Sequence, residues 1–91
     1  MKYMVTWTLS SENYEDAAKE FLAGKGDPPP GLTHLGRWHV PGSSYGWHLM
    51  EGDEGALAQH LAFWGQYLDI EVNPVVEDDV AGAAMQAVFG D

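Results

Sequence analysis

Three of the four tryptophans in this chain sit in short segments of strand character. These are Met4-Val5-Thr6-Trp7-Thr8-Leu9, Gly36-Arg37-Trp38-His39-Val40 and Gly46-Trp47-His48-Leu49-Met50. Successive side chains of a strand point to opposite faces, so each indole commits its strand to one side. The fourth, Trp64, lies in a stretch of helical period. A buried aromatic ring removes roughly 150–250 Å² from water. That matters for a chain of 91 residues, because a domain this small hides only about two-thirds of its unfolded surface. Bulky rings on strands, with amphipathic helices between them, predict a helix-on-sheet core in a single domain spanning residues 1–91.

Residues 2–9 read as the first strand. Ser10 or Ser11 offers an N-cap, and Glu12, Glu15 and Asp16 follow in the turns where the helix dipole favours acids. Tyr14, Ala17, Ala18, Phe21 and Leu22 recur at helical spacing, Glu15 and Lys19 form an i,i+4 pair, and Gly24 is the expected stop. Lys25 to Gly31, with three consecutive prolines, predicts a stiff connection. Thr33–Pro41 and Gly46–Glu51 read as a hairpin around Gly42-Ser43-Ser44-Tyr45. Asp53 can cap a second helix with Leu57, Leu61, Trp64 and Leu68 on one stripe, Gly65 allowing close approach to the sheet. Asp69–Val76 gives a fourth strand, where Pro74 suits an edge. Asp78 or Asp79 caps a terminal helix bearing Val80, Ala84 and Val88. The order is βαββαβ plus a C-terminal helix, an α+β class. Right-handed crossovers then arrange an antiparallel sheet as 4-1-3-2, the ferredoxin-like pattern.

Fourteen acidic residues against four basic ones leave a net charge of -10. That field repels phosphate backbones and anionic membranes, so neither nucleic acid nor a membrane surface is an expected partner. The absence of cysteine removes disulfides, thiolate nucleophiles and cysteine metal knuckles. The amino terminus lacks the apolar run of a signal peptide and no segment is long enough to span a bilayer, so a cytoplasmic location is expected.

Parity sorts the side chains. With Pro41 opposite Gly46, His39 faces His48 and Arg37 faces Met50. Trp38, Val40, Trp47 and Leu49, with Tyr3, Val5, Trp7, Ile70 and Val72, are then expected beneath the helices. Met4, Thr6, Thr8, Arg37, His39, His48, Met50, Asn73 and Val75 form the other face, too poor in Lys and Glu for open solvent. This architecture resembles the dimeric α/β-barrel superfamily, in which two such sheets pack face to face. Within it, Met4-Val5-Thr6-Trp7-Thr8, the prolines at 28–30, Gly36-Arg37-Trp38-His39 and Gly46-Trp47 resemble a small family described only as a domain of unknown function. The resemblance covers nearly the whole chain and implies a homodimer through the sheet face. It implies no particular reaction, because the superfamily includes isomerases, cofactor-free monooxygenases, haem-degrading enzymes and stress-induced proteins.

The His39–His48 pair is the leading chemical candidate, since opposed residues have Cβ atoms about 4.5–5.5 Å apart. Imidazoles titrate near neutrality and can move protons. Arg37 could hold a carboxylate, with Thr6 and Thr8 positioning it. Glu71 shares their parity but lies beyond strand one, which leaves no third metal ligand, and no metal or cofactor is expected. The plain alternative is that both histidines make hydrogen bonds across a dimer interface. In related barrels the cavity lies between helices and sheet, which implies Trp7, Trp38, Trp47, His60 and Tyr67 as its lining. Such tryptophans are also ordinary core residues, and His60 at the border of its stripe an ordinary surface one. His34, beside the proline loop, is expected to be solvated. The function expected is binding of a small apolar or aromatic metabolite, with cofactor-independent acid/base chemistry at His39 or His48. The competing expectation is a non-catalytic interaction or regulatory dimer whose pocket its own side chains fill.

Overall fold

The computed structural model describes residues 1–42 and 44–90; Ser43, expected in the hairpin loop, and Asp91 lie outside the described residues. Its elements are β1 (Lys2–Thr8), α1 (Tyr14–Ala23), β2 (Leu32–His39), β3 (Tyr45–Gly52), α2 (Glu54–Trp64), β4 (Asp69–Val75) and α3 (Asp78–Phe89). The antiparallel sheet runs β2-β3-β1-β4, the expected ferredoxin-like order read from the opposite edge. Among the described residues β4 pairs only with β1, so Pro74 sits on an edge.

Local chemistry explains the helix ends. Gly24 adopts a left-handed φ of 72° after α1, and its N–H reaches the Glu20 and Phe21 carbonyls. Asp53 caps α2 by accepting the Ala56 N–H at 3.0 Å. Other ends differ from expectation. Turns occupy residues 11–13, so Asn13 rather than Ser10 or Ser11 is the α1 cap residue. Its side-chain amide instead donates to the Tyr67 carbonyl at 3.4 Å. Gly65 follows α2 as its C-cap, and an added Cβ there would meet the Leu61 carbonyl of its own helix rather than the sheet. Glu77, not Asp78 or Asp79, is the cap residue of α3. No residue of α3 is buried, and its Val80 and Val88 are exposed.

The hairpin closes with Val40 N–H donating to the Tyr45 carbonyl at 2.9 Å. His39 pairs with Gly46, Trp38 with Trp47 and Arg37 with His48. This is two residues from the expected register, so His39 and His48 are not opposed. A shift of two preserves parity, however, and both remain on one face. The larger correction concerns β1. Val5 lies opposite His48, Trp7 opposite Gly46 and Tyr3 opposite Met50, whereas Thr6 faces Trp47 and Met4 faces Leu49. The hairpin is therefore turned over relative to β1. Arg37, His39, His48 and Met50 lie on the helix side of the sheet, His48 and Met50 buried but Arg37 and His39 still exposed, and Trp38, Trp47 and Leu49 lie on the open side with Met4, Thr6 and Thr8.

Packing accounts for this choice. Val5, Leu32, Met50, Ala56 and Leu57 form one buried cluster between sheet and α2. Trp7, Leu9 and Ala17 form a second, with Trp64, Tyr67 and Leu68 against it. A Cβ at Gly46 would fall on the Trp7 ring and the Trp38 carbonyl, so only glycine lets the indole lie across β3. Met50 is completely inaccessible to solvent. Met50→Ala is expected to cost about 2–5 kcal/mol, read as a lowered midpoint in urea unfolding with an unchanged slope.

Candidate functional site

The helices do not close fully onto the sheet. A cavity of about 210 Å³ lies between them, walled mainly by apolar groups of β1, α1 and α2, among them Val5, Trp7, Phe21 and Leu61. Its polar lining comes from Arg37, His39, His48 and His60. β2 and β3 present the first three on the covered face, and α2 lowers His60 onto them.

One β-bulge decides a further member. Between His34 and Gly36 the β2–β3 register shifts, so His34 pairs with Met50 while Gly36 pairs with Leu49. The extra residue, Leu35, reverses parity, placing His34 on the same face as Arg37. His34 Nδ1 and His48 Nε2 are within hydrogen-bonding distance, with ring centroids 4.5 Å apart. His48 and His60 rings are 5.8 Å apart. His48 is 5% exposed and His60 3%, whereas His34 remains exposed at the sheet edge. His60 Nδ1 has no hydrogen-bond partner among the described residues. A buried polar atom left without a partner is costly.

Electrostatics follows from burial. His48 is pushed down from 6.5 to about 3, chiefly by desolvation and then by His34, Arg37, His60 and His39. Desolvation, then the Arg37 charge, also lowers His34, His39 and His60; for His60, His34 adds to the lowering and Asp27 opposes it. At neutral pH the four imidazoles are uncharged, each with one donor and one acceptor nitrogen. Arg37 is the cation among them. Desolvation lowers it as well, offset in part by Asp27. Among the described residues no carboxylate lies within 4.0 Å of its guanidinium, and its Cζ sits 4.8 Å from the Phe21 ring centroid. His39 is wedged edge-on between Trp7 and Phe21, at 5.2 and 5.6 Å. Also among the described residues, no group of three or more His, Cys, Asp or Glu is arranged to hold a metal ion.

The structure thus gathers Arg37, His39, His48, His60 and Trp7 around one cavity. Thr6, Thr8, Trp38 and Trp47 lie on the opposite face of the sheet. Tyr67 packs against Trp64 outside the lining. His34, expected in solvent, was readable only through Gly36, since glycine inside a strand often marks a bulge. Phe21 and Tyr14, read only as apolar positions at helical spacing, also wall the cavity.

Fold and site together define an α+β ferredoxin-like domain with an arginine and uncharged histidines set in an apolar cavity. The chain belongs to DUF3303, a domain of unknown function, whose family model matches residues 1–89. No curated protein matches it. Among solved structures it is similar to SCO4226 from Streptomyces coelicolor A3(2), at 20% identity and a TM-score of 0.46, over 84% of this chain and 98% of that one. Among the described residues no helix is long and apolar enough to cross a membrane.

The histidines make stability depend on pH with a definite sign. Below pH 6.5 the unfolded chain takes up a proton at His48 that the folded chain refuses down to about 3. Stability is therefore full above 6.5 and falls as pH drops through that interval. His34, His39 and His60 act in the same sense. Urea unfolding at a series of pH values is expected to show this slope, and His48→Gln to flatten it.

Proposed function

We propose that this protein binds a small, largely apolar or aromatic metabolite carrying a carboxylate, in the cavity between helices and sheet. Arg37 holds the anionic group, and His48 or His39 exchanges a proton with the bound molecule without a cofactor. The observation that carries this reading is a guanidinium without a carboxylate partner among the described residues, at an apolar cavity otherwise edged by uncharged imidazoles. An anion there gains a charge-assisted, two-pronged hydrogen bond while its apolar remainder lies against the cavity wall. Uncharged imidazoles leave that attraction unopposed. A non-catalytic dimer with a filled pocket fits less well, because the space beside the histidines is not filled by side chains.

Phenylacetate is a suitable probe, with phenylacetamide as its uncharged counterpart. Binding followed by calorimetry, and by shifts of the Trp7 and His48 signals, is expected to favour the acid. Arg37→Met is expected to weaken phenylacetate binding about tenfold or more while leaving the melting temperature nearly unchanged. Equal affinity for acid and amide would remove Arg37 from the reading.

The protein also acts as a cytoplasmic homodimer through the sheet face. Support comes from Trp38, which is 57% exposed, and from its neighbours Leu35, Tyr45 and Trp47 on the same flank. Exposed rings gathered on an uncovered sheet suit a partner surface better than water. Sedimentation velocity is expected to give a dimer for the natural chain and a monomer for Trp38→Glu.

A further inference from the structure

A base buried in an apolar wall faces a physical obstacle. Taking a proton would leave an imidazolium where water cannot solvate it and where Arg37 repels it. His48 is in that position, and its ordinary value is depressed accordingly. Its geometry offers a way round. Nε2 is committed to His34 Nδ1, which leaves Nδ1 as the ring nitrogen free to meet a molecule in the cavity. His34 stands at the exposed edge strand, so the two rings form a short path from a 5%-exposed interior group to bulk water. The Leu35 bulge is what turns His34 onto that path.

We propose that His34 is the proton relay of His48, coupling the cavity to solvent through paired imidazole tautomers. In the resting pair His48 carries its proton on Nε2 and donates it to His34 Nδ1, while His34 carries its own on Nε2. When a ligand yields a proton to His48 Nδ1, the His48 Nε2–H bond breaks and a His34 Nδ1–H bond forms. The His34 Nε2 proton passes to water. Both rings are neutral before and after, with their tautomers reversed, and the ligand has lost one proton to bulk solvent. The reverse sequence delivers a proton. No net charge rests on the buried ring at either end, which removes the obstacle that burial creates. His34 is thus a positioning residue, acting on the ligand only through His48. The relay deepens the proton-transfer reading above and rests on it for its purpose; in the free protein a water in the cavity takes the ligand's place, giving a proton to His48 Nδ1 as the Nε2 proton leaves through His34 to bulk water.

The test uses ligand-free protein with nitrogen-15 in its histidine rings. In the unaltered chain, a through-hydrogen-bond coupling between His34 Nδ1 and His48 Nε2 is expected, with both rings neutral at pH 7. Exchange of the His48 ring proton with water is then compared with that in His34→Gln. Glutamine can accept the same hydrogen bond through its oxygen but cannot pass a proton onward. Exchange is expected to slow about tenfold or more, with the amide spectrum otherwise unchanged because position 34 is exposed. Unaltered exchange in His34→Gln would show that protons reach His48 by another route, and would overturn the relay. Absence of the coupling would overturn it as well. Phenylacetate enters neither measurement, so a protein that failed to bind the acid could still support the relay, and one that bound it could still refute the relay.

Discussion

Much of this molecule follows from one packing contact, the indole of Trp7 lying across the bare backbone of Gly46. β1 and β3 are far apart in sequence and no turn sets their alignment. Their register rests on what fits between them. Trp7 can lie flat only where β3 has no Cβ, and a side chain at 46 would collide with the ring and with the Trp38 carbonyl behind it. With Trp7 opposite Gly46, Val5 falls opposite His48 and Tyr3 opposite Met50. The buried side of the hairpin is thereby chosen. His48 and Met50 go under the helices, and Trp38 and Trp47 go outward.

That choice has an electrostatic consequence. Imidazoles between sheet and helices lose water, and the Arg37 charge beside them opposes a second positive charge. They remain neutral where free histidines would titrate. Neutral rings satisfy one another by donor–acceptor pairing, as His34 and His48 do, while His60 Nδ1 is buried without a partner among the described residues. Arg37 keeps its charge at the edge of this region, steadied by the Phe21 face. The cavity accordingly has one polar corner in an apolar wall, the arrangement expected of a site that orients a small amphipathic molecule.

Local signals in the sequence carried much of the element plan. Gly24 ends α1 with a left-handed φ, Asp53 caps α2 through its carboxylate, and Pro74 marks an edge strand, each as its chemistry dictates. Arg37, His39, His48, His60 and Trp7 were readable as candidates because ionisable and aromatic types share a few short segments. Their arrangement was not readable. The hairpin parity survived a two-residue misalignment, but the parity between hairpin and β1 did not. Alternation alone favoured hiding the three strand indoles together. His34 was missed because one bulged residue reverses alternation within β2.

By itself, the sequence determined what depends on near neighbours: the helix period, the caps and stops, the strand segments and a strongly acidic surface. These obey forces acting over a few residues. The tertiary structure alone decided which face of the hairpin meets the helices, that His34 joins His48, and that a cavity stays open beside Arg37. Such outcomes depend on side chains remote in sequence competing for the same space, and alternation is equally satisfied by either face until Trp7 and Gly46 meet.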